Sequence, residues 1–454
     1  MNLRNFATKI GLDKSIAYSS GARVIQGIAG VGSMFFISTF LTGVEQGFYF
    51  TFGSILALQI FFELGLTGIM TQYVAHEVSH LSLDSVNCYQ GDKKYKSRLA
   101  YLVRFCVKWY SAISALFFVF LLIVGLIYFQ KFGTSQDAEQ EWRIPWILIC
   151  ATTAVQLCIS PLNAILTGLG FVKETSKVSF FQQLIVPVCT WIGLASGLKL
   201  YVTGVSCLVS VCIWFLLIKR MNLFQIIRNL WKTQIDDKVD YMREIFPYQW
   251  KIALSWISGY FIFQLFNPVL FATEGAIVAG QMGMTLQALN AINAFSMSWM
   301  NTKIPLFSGL IARKQFPQLD QVFNKTLRQM SFICLVLLAS FWGLVAVLRI
   351  SDFRLGTTVL ADRFLDYIPM LLMMIPIFLG QFINSWATYL RCHKEEPYLL
   401  NSIVAGALCL LSTFFFGNLY GLYGVTIGYC CIRIVLFPWA YNIYKRKKLE
   451  WHNE

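Results

Sequence analysis

Charged residues are scarce in this sequence. Only 13% of its 454 residues are Asp, Glu, Lys or Arg, whereas 57% are hydrophobic and 16% are aromatic. Soluble globular domains carry about 25% charged residues, so this composition excludes an ordinary soluble fold. Apolar runs of about 20 residues, long enough to cross a hydrocarbon core of about 30 Å, recur along the whole chain. The sequence therefore predicts an all-α, polytopic membrane protein.

Long polar segments between the apolar runs are also few. The longest segment on the predicted outer side, residues 130–143, is too short to form a domain, which excludes a folded outer catalytic module. A lipid-linked sugar polymerase or glycosyltransferase would need such a loop, and we predict no enzyme activity. The apolar runs predict about twelve transmembrane helices, at 22–42, 47–69, 103–129, 144–166, 178–196, 200–218, 250–272, 275–300, 330–350, 363–390, 399–417 and 420–442.

Acidic residues are missing from the bodies of the first and seventh predicted helices. This absence argues against a drug exporter in which a central carboxylate binds a cation and the substrate in turn. The 12 cysteines form no C-x-x-C pair and lie mostly in predicted helices, which favours free apolar thiols over disulfides or metal ligands. We predict neither a cofactor nor a metal.

Lys and Arg are distributed unevenly between the two sides of the predicted membrane. Most of the 37 flank the side that holds both termini, which predicts cytoplasmic termini by the positive-inside rule. The net charge of +14 then follows from cations that face anionic membrane lipids, so nucleic acid is not an expected partner. The N-terminal stretch lacks a cleavage site for a signal peptide.

The second half of the sequence repeats features of the first. Arg23 corresponds to Lys251 and Glu45 to Glu274, at an offset of about 230 residues. Six helices return the chain to the same side, which predicts parallel repeats around a shared cleft, as in alternating-access transporters. The predicted parts are an amphipathic cytoplasmic lead-in (1–21), a first lobe (22–218), a cytoplasmic linker and hinge (219–249) with an interfacial helix near 223–231, a second lobe (250–442) and a basic cytoplasmic tail (443–454).

One local motif suggests a different class of protein. His76-Glu77-Val78-Ser79-His80 is an H-E-x-x-H sequence, whose spacing suits a zinc metalloprotease. A third ligand is not evident, because His393 and His452 lie in distant segments and no known motif surrounds Asp84. We interpret the motif as the polar end of the second helix.

Polar residues inside the predicted helices are candidates for a substrate lumen. Tyr260, Gln264 and Asn267 share one helical face, and amides beside aromatic rings suit sugars. For any single amide the alternative is an interhelical hydrogen bond. The other candidates are Gln26, Gln59, Glu63, Gln281 and Asn290.

Three cations are candidates for binding pyrophosphate. Arg23 and Lys251 begin the first helix of each half, where a pair of cations suits a phosphate entering from the inner leaflet. Ordinary positive-inside anchoring is the alternative for both. Arg433 lies inside the last helix and requires a partner such as Glu63, or reaches the surface along its own stem.

Four stretches resemble a known family. Residues 40–49 (FLTGVEQGFY), 63–75 (ELGLTGIMTQYVA), 299–305 (WMNTKIP) and 422–425 (LYGV, followed by a basic tail) resemble O-antigen-type polysaccharide flippases of the multidrug/oligosaccharidyl-lipid/polysaccharide (MOP) exporter superfamily. The similarity extends over nearly the whole chain through loose patterns of Gly, Pro and aromatic residues. Fourteen-helix lipid II flippases are similar too, although this chain is too short for two further helices.

The resemblance implies a V-shaped, MATE-like transporter with two six-helix lobes in a bacterial inner membrane. Its expected substrate is undecaprenyl-pyrophosphate-linked oligosaccharide, a repeat unit of O-antigen, capsule or exopolysaccharide, and Arg23 matches the cations that meet pyrophosphate in relatives. Expected partners are membrane lipids, a coupling ion (H+ or Na+) and other polysaccharide-assembly proteins. The alternative is a MATE-like exporter of drugs or small metabolites.

Overall fold

The computed structural model describes residues 14–84, 87–133, 141–355, 358–393, 395 and 397–452. Most of the predicted lead-in therefore lies outside the described residues. Within them the chain is almost entirely helical. The strands found there form two short antiparallel hairpins, one pairing Leu81–Leu83 with Tyr89–Gly91 and the other pairing Arg354–Leu355 with Thr358–Val359.

The helices follow the apolar runs of the sequence and in several places extend beyond them. Two shorter turns, a π-helix at Tyr241–Ile245 and a 3-10 helix at Leu360–Arg363, precede membrane helices. The α-helices are α1 (Lys14–Phe40), α2 (Gly43–Leu56), α3 (Gln59–Glu63), α4 (Leu66–Val78), α5 (Lys93–Phe132), α6 (Arg143–Gly168), α7 (Val172–Ala195), α8 (Tyr201–Arg220), α9 (Leu223–Lys232), α10 (Phe246–Phe263), α11 (Phe266–Thr273), α12 (Ala276–Asn301), α13 (Ile304–Ala312), α14 (Phe316–Ile350), α15 (Tyr367–Cys392) and α16 (Leu399–His452).

The chain is a multi-pass membrane protein. Eight helices of the described residues are long and apolar enough to cross a membrane, and a ninth span is formed if α2, α3 and α4, bent by 43°, are taken together. Each of the twelve predicted spans overlaps one of these helices, α1 or α12, and the last two share α16. The number of twelve stays a prediction. The predicted tail at 443–454 is helical as far as His452, because α16 continues past the last apolar run.

The bend between α3 and α4 has a local cause. Leu64 and Gly65 both have left-handed backbone angles, with φ of 50° and 68°. Two such residues in succession end one helix and re-aim the next. A Cβ at Gly65 would lie 2.5 Å from the side chain of Ile252, so this position also requires a small residue.

The long helix α16 is two helices that meet at a reversal. Gly421 has φ 53° and ψ −131°, a conformation that is essentially restricted to glycine. On either side, a Cβ at Gly424 would lie 2.0 Å from the carbonyl of Phe416, and one at Gly428 would lie 2.1 Å from the hydroxyl of Ser412. These pairs are placed symmetrically about the break, so the two parts run antiparallel in close contact.

The structure divides into two compact units. Unit 1 contains the described residues of Met1–Ala29, Leu56–Lys131 and Glu139–Trp256, and unit 2 those of Gly30–Ile55, Phe132–Ala138 and Ile257–Glu454. This division differs along the chain from the predicted lobes, because residues 30–55 group with the second half and the linker groups with the first. The lobe boundaries stay a prediction.

In unit 1, the linker folds into a helix with one buried face. Leu223, Ile226, Ile227 and Leu230 of α9 are buried, at the i, i+3, i+4, i+7 spacing of an amphipathic helix. The sequence pattern near 223–231 predicted this helix. In unit 2, a buried hydrophobic cluster contains large side chains from α12 to α16, among them Phe307, Phe323, Trp386 and Tyr389.

Candidate functional site

Arg433 is a buried cation in the middle of an apolar helix. It lies twelve residues from Gly421 and twelve from Lys445, which is about 18 Å along the helix in each direction, with no other charged residue between them. Arg433 is 9% exposed. A cation at this depth is costly without a partner and is more often functional than structural.

The surroundings of Arg433 are aromatic. Its guanidinium carbon lies 5.7 Å from the ring centroid of Phe263 and 5.6 Å from that of Tyr429. Within the described part of the chain it forms no ion pair with a carboxylate, and its Nε has no hydrogen-bond partner there. Cation–π contacts of this kind stabilise a guanidinium by about 1–2 kcal/mol but do not neutralise it. The site is thus suited to an anion beside aromatic rings.

The other two predicted cations are at helix ends. Lys251 is exposed on α10, and its Nζ lies 5.8 Å from the ring centroid of Trp250. The side chain of Arg23 lies outside the described residues, so its predicted pairing with Lys251 stays a prediction. Lys251 belongs to unit 1 and Arg433 to unit 2.

Two of the predicted lumen residues are brought together by a third residue that the sequence did not single out. The hydroxyl of Tyr260 donates to the carbonyl of Ser54 at 3.3 Å, and the amide of Asn267 donates to the hydroxyl of Ser54 at 3.1 Å. All three residues are buried. These bonds join α2 to α10 and α11. Tyr260 and Asn267 therefore form the interhelical hydrogen bonds that were the alternative to a lumen, although the Oδ1 of Asn267 has no partner among the described residues.

The remaining candidates are dispersed. Glu63 accepts a hydrogen bond from Thr67, one helical turn further along the chain. Gln281 donates to the carbonyl of Asp362 at 2.9 Å, a local contact with the turn before α15. Gln26 and Asn290 are exposed, and Gln59 and Gln264 are partly buried. The structure does not assemble these side chains into one cluster within either unit.

A buried polar network that the sequence did not predict lies at the start of α2. The amide nitrogen of Gln46 donates to the carbonyls of Gly280 and Arg363, at 2.9 and 3.0 Å. Arg363 is 4% exposed and donates to the carbonyl of Leu41 and, at 3.5 Å, to the amide oxygen of Gln46. Burial lowers the pKa of the Arg363 guanidinium, and the nearby Glu45 opposes this effect. The network fastens α2 to α12 and to the turn before α15.

The same end of α2 makes a close backbone contact with α12. A Cβ at Gly47 would lie 1.9 Å from the carbonyl oxygen of Ala276, and a Cβ at Gly280 would lie 2.8 Å from the backbone nitrogen of Gly47. A Cβ at Gly283 would lie 2.3 Å from the ring of Phe50, so this position also requires glycine. Stripes of small residues let membrane helices approach this closely. We refer to the contact formed by these residues as the α2–α12 seam.

Glu45 has a separate, local role in this region. Its carboxylate accepts a hydrogen bond from the backbone nitrogen of Thr42 at 2.7 Å, and the hydroxyl of Thr42 accepts one from the backbone nitrogen of Glu45 at 3.2 Å. This reciprocal pair is a capping box, which begins α2 at Gly43. The gap between the predicted spans 22–42 and 47–69 is thus the first turn of a helix, in which Glu45 and Gln46 are buried.

The H-E-x-x-H segment contributes to an ion-pair cluster in unit 1. Glu77 is buried, with its carboxylate 3.1 Å from the Nε of Arg98, whose Nη2 lies 2.6 Å from the carboxylate of Glu244. His76 is exposed, and the ring of His80 stacks on that of Tyr95 at 3.9 Å. A general base must reach water, and Glu77 is instead enclosed with a cation. Among the described residues no group of three His, Cys, Asp or Glu side chains is placed to hold a metal ion.

The cluster joins three segments that are far apart in sequence: α4, α5 and the π-helix before α10. The hydrogen bond from Arg98 lowers the pKa of the Glu244 carboxyl below its usual value. The same bond, together with that to Glu77, raises the pKa of Arg98. Both shifts favour the charged forms, so Arg98 and Glu244 are ionised at neutral pH.

No protein-family model and no curated protein matches this sequence. Among solved structures, the chain is similar to the lipid II flippase MurJ in an inward closed conformation, with a TM-score of 0.58 and 13% identity over 96% of this chain and 90% of that one. It is also similar to the MATE multidrug transporter DinF-BH, with a TM-score of 0.55 and 12% identity over 95% of each chain. It is similar as well to a mutant of the Vibrio cholerae MATE transporter VcmN, with a TM-score of 0.54 and 11% identity over 97% of this chain and 100% of that one. The chain therefore has the fold that MurJ and the MATE transporters share.

Proposed function

We propose that this chain is a flippase that moves an oligosaccharide linked to a lipid pyrophosphate across the bacterial inner membrane by alternating access. Support comes from the fold, which is shared with a flippase for a lipid substrate and with multidrug transporters. The resemblance of residues 40–49 and 63–75 to O-antigen-type flippases supports the class of substrate. Both termini are proposed to be cytoplasmic, on the strength of the Lys and Arg distribution.

The observation that carries this proposal is the environment of Arg433. A buried guanidinium without a carboxylate partner in the described chain favours an anionic ligand, because an unpaired buried charge is strongly destabilising. A guanidinium binds phosphate oxygens in a bidentate manner. The rings of Phe263 and Tyr429 beside it offer surfaces on which a sugar can stack. Arg23 and Lys251 are proposed to receive the pyrophosphate before it reaches Arg433.

The alternative is a MATE-like exporter of drugs or small metabolites. It is favoured by the similarity to the multidrug transporter DinF-BH, whose structure was solved as a complex, at a TM-score close to that for MurJ. A drug exporter for cations would gain nothing from an unpaired arginine at its centre, since like charges repel. The flippase is for this reason the first candidate, with H+ or Na+ as the proposed coupling ion.

The experiment replaces Arg433 in cells that depend on this chain for their surface glycan. Arg433→Gln is expected to lower surface glycan at least tenfold and to cause lipid-linked oligosaccharide to accumulate, because the anion loses its charge-assisted hydrogen bonds. Arg433→Lys keeps the charge and should retain part of the activity. Arg313→Gln, at an exposed arginine, is the control and should behave as the wild type.

The amount of each variant in the membrane is measured by immunoblot, so that loss of protein is not mistaken for loss of transport. Normal glycan with Arg433→Gln would contradict the role of Arg433. Intact glycan after deletion of the gene, with altered sensitivity to drugs, would instead establish the exporter.

A further inference from the structure

A second candidate site lies in unit 1 and contains none of the candidate residues of the transport pathway. A cavity of about 570 Å³ opens between the first half of α5 and the segment that follows α9. Its lining combines cationic and aromatic side chains with a few apolar ones. The lining residues are Tyr101, Arg104, Phe105, Lys108, Trp109, Ala112, Ile235 and Lys238. We refer to it as the α5 groove.

The sequence of α5 fixes the depth of this groove in the membrane. Lys108 is the last charged residue before residues 109–130, a stretch of 22 uncharged residues that ends at Lys131. At 1.5 Å per residue this stretch is about 33 Å long, the thickness of a hydrocarbon core. Lys108 therefore lies at the level of the lipid headgroups. Trp109, 42% exposed, is placed like the aromatic residues that line membrane interfaces.

The cations of the groove are available to an anion. Arg104 donates to the carbonyl of Trp231 at 2.8 Å and to that of Thr233, which uses two of its five N–H groups and holds the guanidinium in place. Lys108 and Lys238 are exposed, and neither forms an ion pair with any residue that the structure describes. No acidic residue lines the groove. Three cations thus line the groove, and its lining residues include no carboxylate.

The floor of the groove is apolar. The ring of Phe105 lies 5.4 Å from that of Tyr241, and Ala112 and Ile235 also line the groove. A free phosphate ion would leave this surface exposed to water. A molecule with an anionic head and an apolar tail would cover both parts of the groove at the depth where such heads lie.

We infer that the α5 groove binds an anionic phospholipid, with its phosphate held by Arg104, Lys108 and Lys238 and the start of an acyl chain on Trp109 and Ala112, which follow Lys108 toward the hydrocarbon core. This lipid would join α5 to the linker that Arg104 already contacts. The site is independent of the proposed transport of oligosaccharide, since it uses none of the residues assigned to that pathway.

The test uses the full chain, purified in detergent and titrated with phosphatidylglycerol while bound lipid is counted by native mass spectrometry. Lys108→Gln combined with Lys238→Gln should weaken binding roughly tenfold or more, because each lysine near an anionic surface contributes a factor of about five. Lys108→Arg with Lys238→Arg keeps the charges and should bind as the wild type. Lys93→Gln with Lys94→Gln removes the same charge from exposed positions of α5 outside the groove and should leave binding unchanged.

Four comparisons decide the result. Phosphatidylcholine with the same acyl chains should bind at least tenfold more weakly, and inorganic phosphate should not displace phosphatidylglycerol. An equal loss of phosphatidylglycerol binding in the Lys93/Lys94 control would mean that general surface charge causes the effect, and this would contradict the proposed site. A groove that binds a polyprenyl pyrophosphate but not phosphatidylglycerol would equally overturn the assignment to phospholipid.

Discussion

The carboxylate of Glu274 accepts a hydrogen bond from the backbone nitrogen of Leu422 at 3.3 Å, at the point where α16 reverses its direction. Glu274 ends α11, and Leu422 begins the second part of α16. The backbone nitrogens at a helix start lack partners within the helix, and a carboxylate there also interacts favourably with the helix dipole. Glu274 thus stabilises a reversal almost 150 residues further along the chain.

Gly421 is predicted to be irreplaceable at this reversal. A Cβ there would lie 1.5 Å from the Oε1 of Glu274, and the backbone has φ 53°. Gly421→Ala should lower the free energy of unfolding by about 1–3 kcal/mol through backbone strain alone. Thermal unfolding of the detergent-solubilised protein measures the loss. Glu274→Ala removes the clashing carboxylate, so the double variant should lose less than the sum of the single variants.

The matched control for this substitution is Gly343→Ala. Gly343 lies in α14 with open space around its Cβ position, and alanine there should keep or raise the unfolding temperature. Equal unfolding temperatures for the wild type, Gly421→Ala and Gly343→Ala would show that the chain does not reverse as described.

The α2–α12 seam gives a second prediction, with its control on the same helix. Gly47→Ala forces the new methyl group against the carbonyl of Ala276, which should destabilise the protein by about 1–3 kcal/mol, as overpacking does. Gly53→Ala adds the same group to α2 where nothing lies within 4 Å. We expect Gly53→Ala to unfold at the temperature of the wild type and Gly47→Ala several degrees lower. The reverse order would refute the contact.

The ion pair between Arg98 and Glu77 gives a third prediction. Arg98→Met leaves the carboxylate of Glu77 buried without its cation, which should cost about 3–5 kcal/mol of stability. Adding Glu77→Gln removes the stranded charge, so the double variant should recover part of the loss. Arg220→Met, at an exposed position, is the control. Additive losses in the two single variants would mean that the residues do not interact.

The lowered pKa of the Glu244 carboxyl leads to a prediction about how the stability of the protein depends on pH. Because the hydrogen bond from Arg98 lowers the pKa of Glu244 below its usual value of 4.5, the folded state binds this proton less readily than the unfolded state. The contribution to stability is therefore complete above about pH 5 and is lost as the pH falls through the pKa of the folded state. Unfolding measured between neutral and acidic pH should show a decline that is smaller in Glu244→Gln. An unchanged decline would contradict the pairing.

The membrane helices could be predicted from the sequence because the bilayer sets their length and apolarity. The run at 144–166 lies within α6, and the run at 200–218 agrees with α8 to within two residues at each end. The amphipathic spacing of Leu223, Ile226 and Leu230 predicted α9. Helix ends were harder, since α5 begins at Lys93, ten residues before the predicted start. A helix that leaves the membrane no longer needs apolar residues, so hydropathy does not show where it ends.

The polar contacts could not be predicted, because they depend on which helices meet. Arg363 reads in the sequence as an ordinary charge at a helix end, yet it is buried against Gln46. Tyr260 and Asn267 were expected near each other because they share a helical face. In the structure both donate hydrogen bonds to Ser54, a residue that no periodicity in the sequence indicates. Glu77 likewise belongs to a sequence that matches a zinc motif, whereas in the structure it forms an ion pair with Arg98 of α5.

The α2–α12 seam has an energetic consequence that follows from its small residues. In water, two apolar helices that separate must expose their faces to solvent, and the hydrophobic effect opposes this step. In a bilayer, lipid tails cover the separated faces, so van der Waals contacts and a few hydrogen bonds are what such a separation loses. Gly47 and Gly280 have no side chains that could bury apolar surface. Opening of the seam is therefore opposed by its van der Waals contacts and by the buried hydrogen bonds of Gln46 and Arg363, and not by the exposure of apolar surface to water.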